Sequence, residues 1–394
     1  MAIATPNFTD AAVDELIATR RDLHMHPELG FEEVRTSGIV AERLRALGIP
    51  VRDHVGGTGV LATIVGDKPG KRVLLRADMD ALPILEENNT PYRSQTDGKM
   101  HACGHDCHTS ILLGVGKRLH ALRAELPGEV RLCFQPAEEL GGPKGGADSM
   151  IKDGALDPKP DAAFGLHVWQ DLPLGVVGVT EGPWMAAVDE FTVTVKGKGV
   201  HAAMPQGGVD PVVCLAHMIT ALQTIVSRNA DPFLQAVVSV TQLRAGTAFN
   251  IIPETAWMNG TIRVFEDNLW RDLPGHFERI CRGVAAAFGC EVTVLYERGN
   301  RPTVNDVSMC RFAREAAAEV VGVENVRHDV RTMGGEDFAA FLAEVPGVFI
   351  AVGSRNEKRG LIHEHHHPKF DVDEDSLRIG AEILLRTTQK FLAS

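Results

Sequence analysis

Positive charge is scarce in this chain, long apolar runs are missing, and the cysteines form no framework. Forty lysines and arginines face fifty-two aspartates and glutamates, a formal net charge of −12. That balance argues against a nucleic-acid partner, because phosphate binding draws on clustered cations. It leaves room for a small anionic substrate, which needs only one or two well-placed cations. No stretch approaches the roughly 18 uninterrupted apolar residues of a membrane span. The N-terminus, MAIATPNFTDAAVDEL, has no basic region followed by an apolar run, so no secretory leader is expected. The seven cysteines, at 103, 107, 133, 214, 281, 290 and 310, are odd in number and scattered, which reads as reduced thiols. Internal repeats and low-complexity linkers are also missing. These absences together describe a globular, cytoplasmic protein with neither membrane nor nucleic acid as partner.

What is present begins with length. A chain of 394 residues is too long for one compact core and fits two domains. Helical spacing over 10–23 is followed by strand-like runs at 59–66 and 72–80, then a His/Cys/Gly-rich turn at 100–108 opening onto a helix from 110. Apolar strands at 129–135 and 162–168 come next, and strands alternating with helices predict an α/β layer on a mostly parallel sheet with flanking helices. Near 187 the pattern changes to two-residue alternation. From there the order is strand, helix, strand, strand, helix, strand up to 297, that of a ferredoxin-like α+β unit. A helix at 307–320, a short helix after GGEDF, the strand GVFIAVG and a final helix from 374 return to the first style. The expectation is therefore a discontinuous main domain, 1–186 and 299–394, interrupted by an inserted domain at 187–298.

Histidine is the unusual residue, with sixteen copies, many grouped as His24/His26, His101/His105/His108 and His363/His365/His366/His367. Several metal-ligand types fall at predicted strand ends of the main domain, where open α/β sheets form their sites. Cys103 and His105 lie in MHACGHDCH, Glu138 and Glu139 in FQPAEE, His167 in FGLHV, and a late histidine in HEHHHPKF. Thiolate and imidazole bind zinc-like ions, and a carboxylate moderates the charge and leaves a position for water. A metal-bound water has its pKa lowered toward ~7, and a second ion at roughly 3.5–4 Å would share it. Cys103 is the candidate bridge. Adjacent glutamates diverge, so Glu139 reads as a ligand and Glu138 as the general base. Each signal alone is weak: a Cys-x-His is usually incidental, a Glu pair usually a solvated face, a strand histidine usually core. Their coincidence at the strand ends of one domain is what favours a metal site.

The stretches RRDLHMHPELGFEE, LLRADMDALPI, MHACGHDCHTSILLG, FQPAEE, FGLHVW, GVHAAMPQGGVDP, FNIIPETAWMNGTIR, MGGEDF and HHPKFDVDE resemble, in order, the metal-dependent aminoacylase and carboxypeptidase-G-like amidohydrolases. The subgroup most resembled is that of hippurate hydrolases, N-acyl-amino-acid amidohydrolases and plant auxin-conjugate hydrolases. The resemblance implies a di-zinc aminopeptidase-like catalytic domain with an inserted lid and dimerisation domain. It also implies two divalent ions per subunit (Zn, Mn, Ni or Co) and a homodimer acting on N-acyl amino acids. It implies metal ligands Cys103, His105, Glu139, His167 and His366, the last because the motif's histidine lies two residues before Pro368. Glu138 is implied as acid/base, Asp80 as a support that orients a ligand, and His201 as an oxyanion partner. Asn250 and Arg263 are implied to grip the substrate carboxylate, with Gly334 and Gly335 forming a turn that offers backbone amides. More distant relatives have a histidine ligand where this chain has Asp78, so a metal contact by Asp78 is open. A dipeptidase or carboxypeptidase of the same family and a non-catalytic binding relative remain alternatives, as does, remotely, a hydrolase with Cys103 as nucleophile.

Overall fold

The computed structural model describes residues 8–394. The first residues of the stretch inspected for a leader, which also open the expected 1–186 segment, lie outside them. The chain divides into two compact units, one of Met1–Trp184, Val304–Arg331 and Asp337–Ser394, the other of Met185–Thr303 and Thr332–Glu336.

The first unit is built on an eight-stranded sheet. In spatial order its strands are Val51–Val55, Gly59–Val65, Pro127–Gln135, Lys68–Asp78, Ala162–Pro173, Gly347–Arg355, Val177–Gly178 and Val326–Arg327. The four central strands are mutually parallel. Their sequences are near-continuous apolar runs, since both faces are covered: Val73, Leu74, Leu75 and Ala77 of one strand are all buried. Antiparallel pairing lies toward the two flanks, where Gly59–Val65 joins Val51–Val55 and Pro127–Gln135, and Val177–Gly178 joins Gly347–Arg355. Helices Asp10–Met25, His105–Ala121, Val307–Val321 and Asp375–Leu392 pack in series, while Gly146–Lys152 and Phe338–Glu344 form a smaller pair. The expected α/β layer with a mostly parallel sheet is present.

Two differences from expectation bear on the site. The helix read as opening at 110 begins at His105, so His105 sits in its first turn. Helix Val34–Ala46 was not anticipated; its buried face includes Thr36 and Ser37 beside Val40, Ala41 and Leu44, so polar residues interrupt the apolar stripe that marks a helix in sequence.

The second unit carries a four-stranded antiparallel sheet in the order Ala236–Ala245, Thr255–Val264, Ala187–Lys196, Glu291–Arg298. Helices Pro211–Leu222 and Asp267–Ala287 pack with each other over it, which is the ferredoxin-like arrangement. Alternation places Phe191, Val193 and Val195 with Met258 and Ile262 in a core that the helices close with Met218, Leu222, Leu273 and Phe277. Asp210 caps the first helix by accepting the Val212 and Val213 N–H groups, and Pro211 occupies its first position. Residues Pro211–Asn229, with a mean hydropathy of 1.2, are the single described helical segment long and apolar enough to cross a membrane. Cys214, Leu215, Met218, Leu222 and Ile225 pack one side of it into the unit's own core, while Val212, Val213 and Val226 lie exposed. The expected insert, 187–298, lies inside this unit, which starts two residues earlier, runs to Thr303 and takes in Thr332–Glu336.

Candidate metal centre

Within the first unit, the loops following the parallel strands bring the ligand-type side chains together. Asp78 ends one strand, with Asp80 just beyond it. Gln135 ends the next, and Ala137, at φ 49°, turns the chain into a 3-10 turn that opens on Glu138 and Glu139. His167 lies in the third strand, and its register partner Ala351 in the fourth. Gly104, at φ 92°, separates Cys103 from His105 and leads into the helix. His366 also has a left-handed backbone, at φ 66°, and its N–H donates to the Ala102 carbonyl at 2.8 Å.

Cys103 Sγ lies 3.4 Å from His167 Nε2. His366 Nε2 lies 3.4 Å from Glu139 Oε1, and His105 Nε2 lies 3.9 Å from that same oxygen and 4.0 Å from Glu138 Oε2. Cys103/His105/His167 and Cys103/Glu139/His366 are two clusters whose ligand atoms all fall within 4.8 Å of one another. They share the Cys103 sulfur. His105 Nε2 and Glu139 Oε1 are buried without a hydrogen-bond partner. Two such groups turned toward one another beside a thiol cost free energy unless a cation satisfies them. Sulfur, imidazole nitrogen and carboxylate oxygen are together the donors of a zinc-like divalent ion. These residues fit a dinuclear metal centre.

The electrostatics agree. Burial, then Glu139 and Glu138, push the Cys103 thiol well above its ordinary range, so a thiolate here needs a compensating cation. Burial works against a charge on His105, yet Asp78 and Asp80 raise it to about 10, which shows how strongly this position favours positive charge. Burial, with His108 and His365 nearby, holds His167 well below its usual range, in the neutral form that can ligate.

Further residues hold the ligands in place. Asp80 Oδ1 faces His105 Nδ1 at 3.2 Å, while its Oδ2 accepts the Glu139 N–H at 3.0 Å, so one carboxylate contacts two candidate ligand residues. His167 Nδ1 donates to the Val168 carbonyl at 2.6 Å, which turns Nε2 toward Cys103. His108 was passed over in sequence and has no free nitrogen: Nδ1 meets Asp78 Oδ1 at 2.6 Å and Nε2 accepts the Val168 N–H at 2.9 Å. Burial keeps it neutral, as that pattern needs. The other Asp78 oxygen accepts from Arg76 at 2.6 Å. Buried Arg76 also bonds Gln135 at 2.8 Å and Asp337 at 3.0 Å, and the Asp337 N–H donates to Glu138 Oε1 at 3.3 Å. Asp78 thus has partners on both oxygens. A signal for Arg76 was available, since two residues before Asp78 on one strand share its face.

The four late histidines separate clearly. His365 donates from Nε2 to the Val168 carbonyl at 2.9 Å, and His363 and His367 stack on each other at 4.3 Å. His366 is the one that reaches Glu139.

His201, Asn250, Arg263 and Gly335 belong to the second unit. His201 and Asn250 meet in a small two-stranded antiparallel sheet: His201 pairs with Ile251, and the Ala202 N–H donates to the Asn250 carbonyl at 3.0 Å. Both side chains are exposed. Arg263 is half-buried on strand Thr255–Val264 and bonds Thr261 and the Ile262 carbonyl; burial lowers its pKa. A Cβ on Gly335 would fall 2.3 Å from Val188 Cγ2, so no side chain fits there.

The sequence pattern of peptidase family M20/M25/M40 matches residues 74–390. The N-acetylcysteine deacetylase of Bacillus subtilis (strain 168) is 42% identical over 368 residues, covering 93% of this chain and 94% of that protein. The N-acyl-L-amino acid amidohydrolase of Geobacillus stearothermophilus is 44% identical over 298 residues, covering 76% and 80%. A Bacillus subtilis crystal structure described as a dinuclear metal binding peptidase from the M20 family superposes with a TM-score of 0.85 at 38% identity, covering 98% of this chain and 99% of that one.

Proposed function

The chain belongs to peptidase family M20/M25/M40 and is a metal-dependent amidohydrolase; on that premise we propose that it hydrolyses N-acyl amino acids, from N-acetyl to hippurate-like compounds, to a carboxylic acid and a free amino acid. One observation carries the reading: buried His105 Nε2 and Glu139 Oε1 lie 3.9 Å apart with no hydrogen bond to either, and Cys103 is shared between two ligand clusters. Relatives that remove acyl groups from amino acids supply the substrate class.

Cys103, His105, Glu139, His167 and His366 would hold divalent ions, which would supply Lewis-acid polarisation of the amide carbonyl and make water a better acid near neutrality. Glu138, buried and steadied by the Asp337 N–H, takes the proton of the attacking water and returns it to the leaving nitrogen. His201 stabilises the developing oxyanion. Arg263, with Asn250, binds the α-carboxylate. Arg263 is suited to this because, among the described residues, only Thr261 and Ile262 accept hydrogen bonds from its half-buried guanidinium, and planar anions match its fork. Gly335 contributes backbone without a side chain. Thiolate together with imidazole in the ligand set favours zinc by affinity order, with manganese, cobalt and nickel as alternatives. A homodimer formed through the second unit belongs to the same proposal, supported by its exposed Phe233, Leu243, Phe249 and Ile251. So does a cytoplasmic setting, supported by seven free thiols.

The test is a kinetic panel on zinc-, manganese-, cobalt- and nickel-loaded protein. Hippurate and N-acetyl amino acids should turn over faster than dipeptides, and Glu138→Ala should lose about 100-fold or more in kcat while retaining metal. Preference for dipeptides would move the assignment to the peptidases of the family. Full activity in Glu138→Ala with metal bound would remove the assigned base.

A further inference from the structure

Glu33 is fully buried, and its carboxylate does nothing for its own helix. It occupies the N-cap position of helix Val34–Ala46 without capping it. That task falls to Glu28, whose oxygens accept the Arg35 and Thr36 N–H groups at 2.8 Å each. The Glu33 side chain instead turns inward. Oε2 accepts the Thr58 hydroxyl, and Oε1 accepts the Ala137 N–H at 2.8 Å.

Ala137 is the residue whose conformation sets the site. At φ 49° and ψ 43° it occupies the left-handed region, which a residue with a Cβ adopts at a cost. Such a conformation persists only where its surroundings enforce it. Here they do so on three sides: Glu33 takes the N–H, the Gly146 N–H donates to the Ala137 carbonyl at 3.1 Å, and Gly30 approaches so closely that a Cβ there would lie 3.0 Å from the Ala137 Cβ. Glu138 and Glu139 follow at once, so a change in φ or ψ at Ala137 would swing both carboxylates together. Burial pushes the Glu33 carboxyl up to about 7, which makes glutamine a fair mimic near neutrality.

We propose that Glu33 is a positioning residue for the hydrolysis: by holding the Ala137 N–H it keeps the left-handed turn that aims Glu138 at the substrate water and Glu139 at the metal. This rests on the reading of Glu138 as base and Glu139 as ligand. Glu33→Met removes the acceptor while filling the space, and Glu33→Gln keeps it. In zinc-loaded enzyme, Glu33→Met should lower kcat about tenfold or more with KM within about twofold, and should weaken zinc retention in equilibrium dialysis. Glu33→Gln should recover kcat to within about threefold, and Thr58→Val should leave it unchanged. A Glu33→Met enzyme with near-wild-type kcat overturns the proposal, and so does a Glu33→Gln enzyme as impaired as Glu33→Met. If Glu33→Met does not fold, Glu33→Asp withdraws the acceptor by one methylene; wild-type kcat there overturns the proposal, and a fall at unchanged KM supports it. At zinc concentrations that saturate every variant, Glu33→Met in a Glu138→Gln background should cost less than about twofold in residual rate, and a further tenfold fall would overturn action through Glu138. Should Glu138→Gln itself stay fully active, the base assignment fails, while the zinc-retention comparison still decides whether Glu33 positions Glu139.

Discussion

Gly104→Ala should damage metal binding and stability together, and the structure says by how much. Gly104 sits at φ 92° between Cys103 and His105, outside the range where a side chain is comfortable. A left-handed alanine costs about 1–2 kcal/mol. The added Cβ would also fall 2.4 Å from Val168 Cγ2. Val168 has nowhere to go, being fully buried with its N–H on His108 and its carbonyl accepting from His167 and His365. Overpacking of this kind costs about 1–3 kcal/mol, for a total of about 2–5 kcal/mol. Relief by movement must displace either the Cys103–His105 loop or the strand carrying His167, so zinc affinity should fall about 10- to 100-fold. Urea unfolding of metal-free and zinc-loaded protein reads the stability, and equilibrium dialysis against a zinc buffer reads the affinity. Gly98→Ala is the control, since Gly98 has φ 78° with nothing within 4 Å of the new Cβ, and it should show the backbone cost alone. Wild-type zinc affinity and an unmoved urea midpoint in Gly104→Ala would refute the reasoning.

Asp80→Ala removes the carboxylate shared by the His105 ring and the Glu139 N–H, and zinc affinity should drop about 10- to 100-fold; unchanged affinity in dialysis would deny Asp80 that role. Chelation should abolish turnover and lower the melting temperature, with both returning on zinc addition, because an ion bound only by the folded state stabilises it; a melting curve indifferent to chelator would argue against the site. His24, buried between Asp106 at 2.8 Å and Glu86 at 3.3 Å, stays protonated up to about 8 although burial and Arg20 oppose it. A histidine with a raised folded pKa stabilises fully below its unfolded value of 6.5 and loses that contribution as pH rises through about 8, here about 2 kcal/mol. His24→Asn should therefore flatten the fall in stability between those pH values, and an unaltered slope would count against it. In the second unit, buried Asp189 accepts from Trp270 at 3.0 Å, Tyr296 at 2.7 Å and the Gly299 N–H at 3.1 Å. Asp189→Ala strands these donors and should destabilise by about 3 kcal/mol or more, read as a lower urea midpoint.

Much of this was legible without coordinates, for reasons that differ by element. The central strands were found because burial on both faces demands unbroken apolar runs, and the second unit because one-sided burial demands alternation. Helix Val34–Ala46 escaped because Thr36 and Ser37 share its buried face. Cys103, His105, Glu138, Glu139 and His167 could be named as candidates because ligand types recur at strand ends. The residues behind them could not. Glu33 touches Ala137 across 104 positions, and Asp337 reaches Gln135 across 202, with no local pattern to announce either.

The order of residues along the chain decided which atoms were available: the donor types, the strands that carry them, and the sheet in which those strands lie side by side. Tertiary structure alone decided which donors turn toward one another. His108 and His365 have the same ring as His105 and His366, yet both His108 nitrogens are taken up by Asp78 and the Val168 N–H, and His365 Nε2 by the Val168 carbonyl. Hydrogen-bond partners distant in sequence orient each imidazole, and that orientation exists only once the strands have packed.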